Sequence, residues 1–171
     1  MAMEPDQEHH DYLKPIPAER DSDAREAVMI VKTIIDAKGR DVVTMEPGSS
    51  LDTAAKLLAE RRIGAVVVLG PDHRVIGILS ERDIVRAVSE RGSAALQDQV
   101  SQVMTRKVVT CTLDETIHSI MERMTAGKFR HVPVLEQGRL AGIVSIGDVV
   151  KHRIVEMEQE SAALRDYIQT A

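Results

Sequence analysis

The sequence has no tryptophan, one phenylalanine, Phe129, and two tyrosines, Tyr12 and Tyr167, so its core must be aliphatic and it has almost no aromatic platform on which to stack bases. A single cysteine, Cys111, excludes an internal disulfide, and no Cys/His cluster has zinc-ligand spacing. No metal site is expected, and the composition suits a reducing, cytoplasmic setting. The longest apolar stretch, Ile63 to Leu69, is far too short to span a bilayer, and the N-terminus lacks a basic-then-apolar signal pattern, so no membrane insertion is expected. A Lys/Arg stripe is missing too. Residues 1–26 hold eight acidic and three basic side chains, which accounts for the whole net charge of −5 and leaves 19 of each sign in the rest. A neutral body of this kind argues against nucleic-acid binding, which begins with phosphate neutralisation. Catalytic signatures are absent as well: there is no glycine-rich phosphate loop with lysine and no His-Glu-x-x-His. The reading is of a protein that is not an enzyme.

What is present is order of another kind. Residues 1–26 combine Pro5, Pro15 and Pro17 with dense acidic charge, and are expected to form a disordered tail in which His9 and His10 are solvated. From Met29 onward the chain repeats itself. An offset of 66 lays Val42-Val43-Thr44 on Val108-Val109-Thr110, and Val66, Val68 and Leu69 on Val132, Val134 and Leu135. After one deletion, Arg74, Gly77, Ile78, Ser80, Asp83 and Val85 fall on Arg139, Gly142, Ile143, Ser145, Asp148 and Val150.

Within each copy, one helical face (Leu51, Ala54, Ala55, Leu58; Ile117, Ile120, Met121, Met124) is followed by two short β-branched runs joined by a hairpin-length turn. A second helix begins at Ser80 and at Ser145. The fold class is therefore α/β (α+β), two β-α-β-β-α units packed as one module. The first repeat with its leading helix takes residues 27–91, and a linker with the second repeat takes 92–155. A helical extension takes 156–171. Both repeats are preceded by a related segment, Val31 to Ile35 and Val100 to Met104, expected to pack on the module as a short helix. In the extension, Ile154, Met157, Ser161, Leu164 and Ile168 recur at alternating three- and four-residue steps, a narrow seam that suits a partner helix or the chain's own module equally.

The Gly-apolar-apolar-Ser-x-x-Asp ending of each repeat, with apolar-x-Thr at each start, resembles the CBS domain, named for cystathionine β-synthase. The resemblance covers roughly residues 29–155. The stretches Lys38 to Thr44, Gly77 to Asp83 and Arg130 to Val134 are similar to small stand-alone bacterial proteins in which two such domains form a Bateman module. It implies pseudo-twofold symmetry and two clefts that in many relatives hold AMP, ADP, ATP, NAD(H) or another adenosyl ligand. Two departures matter: Leu113 stands where the first repeat has Pro47, which sets the first-strand turn of the second repeat apart, and Ile146-Gly147 stands where it has Glu81-Arg82, which makes the clefts chemically unequal.

Ser80-x-x-Asp83 and Ser145-x-x-Asp148 have a purely structural explanation as capping boxes, the reading given to Ser49-x-x-Asp52. The recurrent motif contains more. Gly77 and Gly142 weaken a strand unless backbone or ligand must approach them closely. A helix N-terminus with a serine hydroxyl attracts phosphate. Asp83 and Asp148 could each accept two hydrogen bonds from a ribose, the role the family gives them. Arg82, Arg130 and His131 are the candidate phosphate partners, and Thr44 and Thr110 are expected to flank adenine through their backbone. Met104, Met121 and Met124 are expected in the core, His118 and His152 on the surface, and Cys111 as a structural thiol. The functional expectation is a regulatory module that binds an adenine nucleotide and signals to an unknown effector through rearrangement of a homodimer. A dimerisation module with empty clefts is the competing reading, and a nucleotide-processing enzyme a remoter one.

Overall fold

Helical periods and short β-branched runs alternate as the repeat requires in the computed structural model, which describes residues 29–170. The acidic tail at 1–26 and its histidines lie outside the described residues. The elements are α1 (Val31–Lys38), β1 (Thr44–Met45), α2 (Leu51–Arg61), β2 (Ala65–Leu69), β3 (Val75–Ser80) and α3 (Glu81–Arg91), then, after a 3-10 turn, α4 (Val100–Val103), α5 (Ile117–Gly127), β4 (His131–Glu136), β5 (Arg139–Ser145) and α6 (Ile146–Thr170).

In the first repeat β1 runs parallel to β2, with Thr44 opposite Val67 and Met45 opposite Val68, and β2 pairs antiparallel with β3. The second repeat keeps the antiparallel pair β4–β5 but reduces the expected first strand to one bridge, Cys111 with Val134, the counterpart of Met45 with Val68. Chemistry at one position explains the loss. Val67 donates its N–H to Val43 O at 3.3 Å. At the matching place stands Pro133, which has no N–H to give. The bridge survives on the bonds that remain, Cys111 N–H to Pro133 O at 3.0 Å and Leu135 N–H to Cys111 O at 2.8 Å.

The leading segments are exchanged. Val31, Ile34 and Ile35 of α1, which precedes the first repeat, are buried in the core of the second with Ile120, Val132, Val134 and Val144. Val100 and Met104, at and just after α4, are buried in the core of the first with Leu51, Val66 and Leu79. Backbone bonds fix both docks: Val31 N–H to Glu115 O and Val100 N–H to Ser49 O, each at 2.8 Å. The sequence boundary near residue 91 is therefore not a packing boundary. This exchange also accounts for Gly77 and Gly142. A Cβ at Gly142 would stand 2.6 Å from Ile35 Cδ1, and one at Gly77 would collide with the Met104 thioether. The close approach that both glycines permit is made by the exchanged segments.

The same dock moves the cap of α2. Ser49 gives its carbonyl to Val100, and the helix is capped instead by Ser50, whose Oγ accepts from Thr53 N–H at 3.2 Å; Asp52 pairs with Lys56 at 2.7 Å. The expected Ser49–Asp52 box does not form. Met104 and Met124 are buried, Met121 packs partly buried against the core, and His118 is exposed beside Glu122. Cys111 is buried, which pushes its thiol up to about 12 and leaves it un-ionised, as expected of a structural thiol. Helix α6 continues without a break through residue 155, so the extension prolongs the second helix of its repeat.

Candidate functional site

Ser80 ends β3 and caps α3. Its Oγ accepts from Asp83 N–H at 3.3 Å, while Asp83 Oδ2 accepts from Ser80 N–H and Oγ, both at 2.8 Å. Ser145 and Asp148 repeat the arrangement at 2.8, 3.0 and 3.2 Å. The capping box is real in both copies. Among the described residues Asp83 uses only Oδ2 for these bonds, so the box leaves Oδ1 to accept from elsewhere.

Around Ser80 and Asp83 opens a cavity of about 460 Å3 between the repeats. Its walls come from three places: Ala65, Ile78, Arg82 and Arg86 of the first repeat, Thr105, Lys107, Val108 and Val109 of the connector, and Gly127 to His131 of the second. Ala65, Ile78, Val108, Val109 and Phe129 supply apolar surface. Arg82, Arg86, Lys107, Lys128 and Arg130 supply five cations against the one carboxylate of Asp83. The α3 N-terminus adds its positive dipole end to the same space.

Two contacts made by arginines of this cavity run from repeat to repeat. Arg82 Nη1 donates to Lys128 O at 3.3 Å, and Arg130 Nη2 lies 3.6 Å from Glu81 Oε1. Lys128 can offer that carbonyl because it caps α5 in the left-handed conformation, φ +56°, as Arg62 caps α2 at +53°. His131 stands at the repeat interface. Gly64 makes room for it, since a Cβ there would lie 3.0 Å from His131 Cε1. Burial first, and then the charge of Arg130, hold the imidazole below its usual value, so it is neutral at pH 7 and adds no charge of its own.

In the second copy a lysine pairs with the aspartate. Lys38, at the end of the exchanged α1, donates to Asp148 Oδ2 at 2.7 Å and to Ile143 O at 3.0 Å. Burial alone would raise the Asp148 carboxyl, but the bonds from Lys38 and Ser145 and the Lys38 charge outweigh it and hold the group below the usual range. The counterpart of Lys38, 69 residues on, is Lys107, which lines the open cavity and makes no such bond to Asp83 among the described residues. Where the open cavity has Arg82 and Arg130, the second copy has Gly147 and Gly64.

Of the expected site residues, Ser80, Arg82, Asp83, Arg130 and His131 meet at the cavity. Ser145 and Asp148 belong to the second copy. Gly77 and Gly142 face the exchanged segments, Thr44 is exposed on β1, and Thr110 offers its carbonyl to Arg123 Nη1 at 3.0 Å; none of the four lines the cavity. Arg86, Lys107, Val108, Val109, Lys128 and Phe129 were missed: Arg86 lies on α3 outside the Ser80–Asp83 motif, and the others come from the connector and the opposite repeat, which leave no signal in that motif. One signal existed for Phe129, the only phenylalanine of the chain, beside Arg130. Among the described residues no helix is long and apolar enough to cross a membrane.

A family model for the CBS domain matches residues 31–90 and 100–154. The mitochondrial CBS domain-containing protein CBSX3 of Arabidopsis thaliana is 34% identical over 120 residues, which is 68% of this chain but only 58% of that relative's length. Among solved structures, the CBS-domain containing protein ATU1752 from Agrobacterium tumefaciens is 55% identical, with a TM-score of 0.72 over 74% of this chain and 94% of that one. The CBS domain protein PAE2072 from Pyrobaculum aerophilum, complexed with AMP, is 26% identical with a TM-score of 0.67, covering 78% of this chain and 99% of that one.

Proposed function

Because this chain belongs to the CBS-domain family, we propose that it is a non-catalytic regulatory module whose open cleft binds an adenine nucleotide with a polyphosphate tail, such as ADP, ATP or NAD(H). The observation that carries this reading is the convergence of five cations and one carboxylate on an apolar-walled cavity of about 460 Å3, within the usual range for ligand pockets. The apolar walls suit a purine ring. Asp83, committed to its cap through Oδ2, accepts ribose hydroxyls, and Arg82, Arg86, Lys107 and Arg130 face the phosphates with the α3 N-terminus. The AMP complex of PAE2072 supports an adenosyl ligand in a module of this kind.

The route to a signal is the pair of contacts across the cleft. A phosphate that engages Arg82 and Arg130 competes with Lys128 O and Glu81 for them, so the liganded and free modules differ in how the repeats are tied. Val85 and Val150, matching positions on α3 and α6, are 67% and 48% exposed and offer apolar helix faces to a second copy. A homodimer of this form passes the change in its repeats to an effector protein in a reducing, cytoplasmic setting.

Lys38 occupies the second cleft, so one nucleotide binds per chain. Calorimetric titration with ATP is expected to give a stoichiometry of one in the wild type, no measurable binding in Asp83→Ala, and up to two sites in Lys38→Ala. Binding that survives Asp83→Ala unchanged would move the site elsewhere. Silence with every adenine nucleotide would leave a dimerisation module with empty clefts.

A further inference from the structure

Helix α6 runs for 25 residues, and Val149 is its one fully buried side chain. Ile146, at its start, packs partly buried on the core of the second repeat, but further along its large apolar residues lie in the open: Ile154 is 51% exposed, Met157 55%, Leu164 62% and Ile168 68%. With Val150 and Ser161 they occupy consecutive a and d positions of a strict heptad, Ile154, Ser161 and Ile168 at a, Val150, Met157 and Leu164 at d. Val149, the residue that anchors the helix to its own core, falls at c, off this seam. The module is therefore not what covers it.

We propose that the seam pairs with the α6 of a second copy as a parallel, in-register, two-stranded coiled coil. The flanking charges choose this occupant and this direction. In a parallel pair each g residue faces the e residue of the following heptad on the other helix. Here that sets Arg153 opposite Glu158 and Glu160 opposite Arg165, every pair attractive and each formed twice by symmetry. The antiparallel pair that overlaps the whole seam, with Ser161 against Met157, sets Glu160 against Glu160, Glu158 against Glu158 and Lys151 against Arg165, all repulsive, and leaves Arg153 against the uncharged Tyr167. Within one chain Arg153 already turns to Glu156 and lies 3.7 Å from Glu160, so this cation is held at the edge of the seam. Beyond Ile154 the helix carries Glu156, Glu158, Glu160 and Asp166 against Arg165 alone, a balance that disfavours an anionic lipid surface. The coil starts at Val150, which is 48% exposed.

Cross-linking in the full chain tests it, with the buried Cys111 as a silent background. In a parallel, in-register coil residue 161 meets its own copy. Ser161→Cys treated with diamide, which takes up the two electrons and two protons of the thiol pair, is expected to give mostly disulfide-linked dimer at micromolar protein. Gln159→Cys, on the outer f position, is expected to give at least tenfold less. Glu160→Arg and Arg165→Glu, each introduced beside Ser161→Cys, are expected to link poorly alone and well when mixed, because only the mixed pair restores both attractions. Equal linking at 159 and 161, no linking at either, or a monomeric chain whose α6 binds anionic vesicles would overturn the coil.

Discussion

ATP and ADP should bind at least tenfold more tightly than AMP, with S-adenosylmethionine, which brings a cation into a cationic cleft, the weakest of the set. Arg82→Ala and Lys107→Ala should each weaken ATP by roughly tenfold or more and AMP by much less. The reason is the imbalance of charge, five cations against Asp83. A hydrogen bond between charged partners contributes about 1.5–3 kcal/mol. Arg82 and Lys107 are both exposed, which places such contacts at the lower end of that range. About 1.4 kcal/mol is a factor of ten in affinity. Titration at two salt concentrations separates the contributions, because the attraction of exposed cations is screened: affinity for ATP should fall faster with salt than affinity for AMP. AMP binding as tightly as ATP, with no difference in salt dependence, would contradict the assignment of these cations to a phosphate tail.

Ile35→Ala should unfold the protein at a melting temperature lower by at least about 6 °C, since truncating a fully buried isoleucine costs about 2–5 kcal/mol. Ile35 is 1% exposed and sits in the core of the second repeat although it precedes the first. Gly142→Ala should also destabilise, because its new Cβ meets Ile35 Cδ1. Combined, the two should cost less than their sum, with a coupling of about 0.5–3 kcal/mol, since the shortened side chain vacates the space that the new methyl needs. Additive costs in thermal or urea unfolding would mean that Ile35 does not pack on Gly142, and that the segments are not exchanged.

The repeat, its helices and its hairpins were legible because they depend on local periodicity: the apolar faces of α2 and α5 and the β-branched runs of β2 to β5 appear where the pattern places them. Pro133 was in plain view, yet its effect on the first strand of the second repeat depends on which N–H that strand needs, a fact of pairing and not of period. The exchange of α1 and α4 was hidden for a similar reason. Their matching Val-x-x-apolar-apolar spacing shows that both pack, and nothing in it says on which repeat. Gly77 and Gly142 marked a close approach correctly but not its partner, which is protein. In the cleft, Ser80 and Asp83 carry a motif because capping and ligand chemistry need the same spacing. Lys107, Lys128 and Phe129 carry none because they reach the site only through the packing of one repeat on the other. The latch of Lys38 on Asp148 makes two nearly identical motifs chemically different, and it arises from a residue 110 positions away in the chain.

Thermal unfolding of the purified protein with ATP, with GTP and with neither tests the central claim most directly. At a hundredfold excess over its dissociation constant a ligand that binds only the folded state adds about 2.7 kcal/mol. In a domain of this size that raises the melting temperature by roughly 5 to 10 °C. The expected result is such a rise with ATP, little or none with GTP, and its loss in Asp83→Ala. No rise with any adenine nucleotide, or the same rise in Asp83→Ala, would contradict a nucleotide site in this cleft.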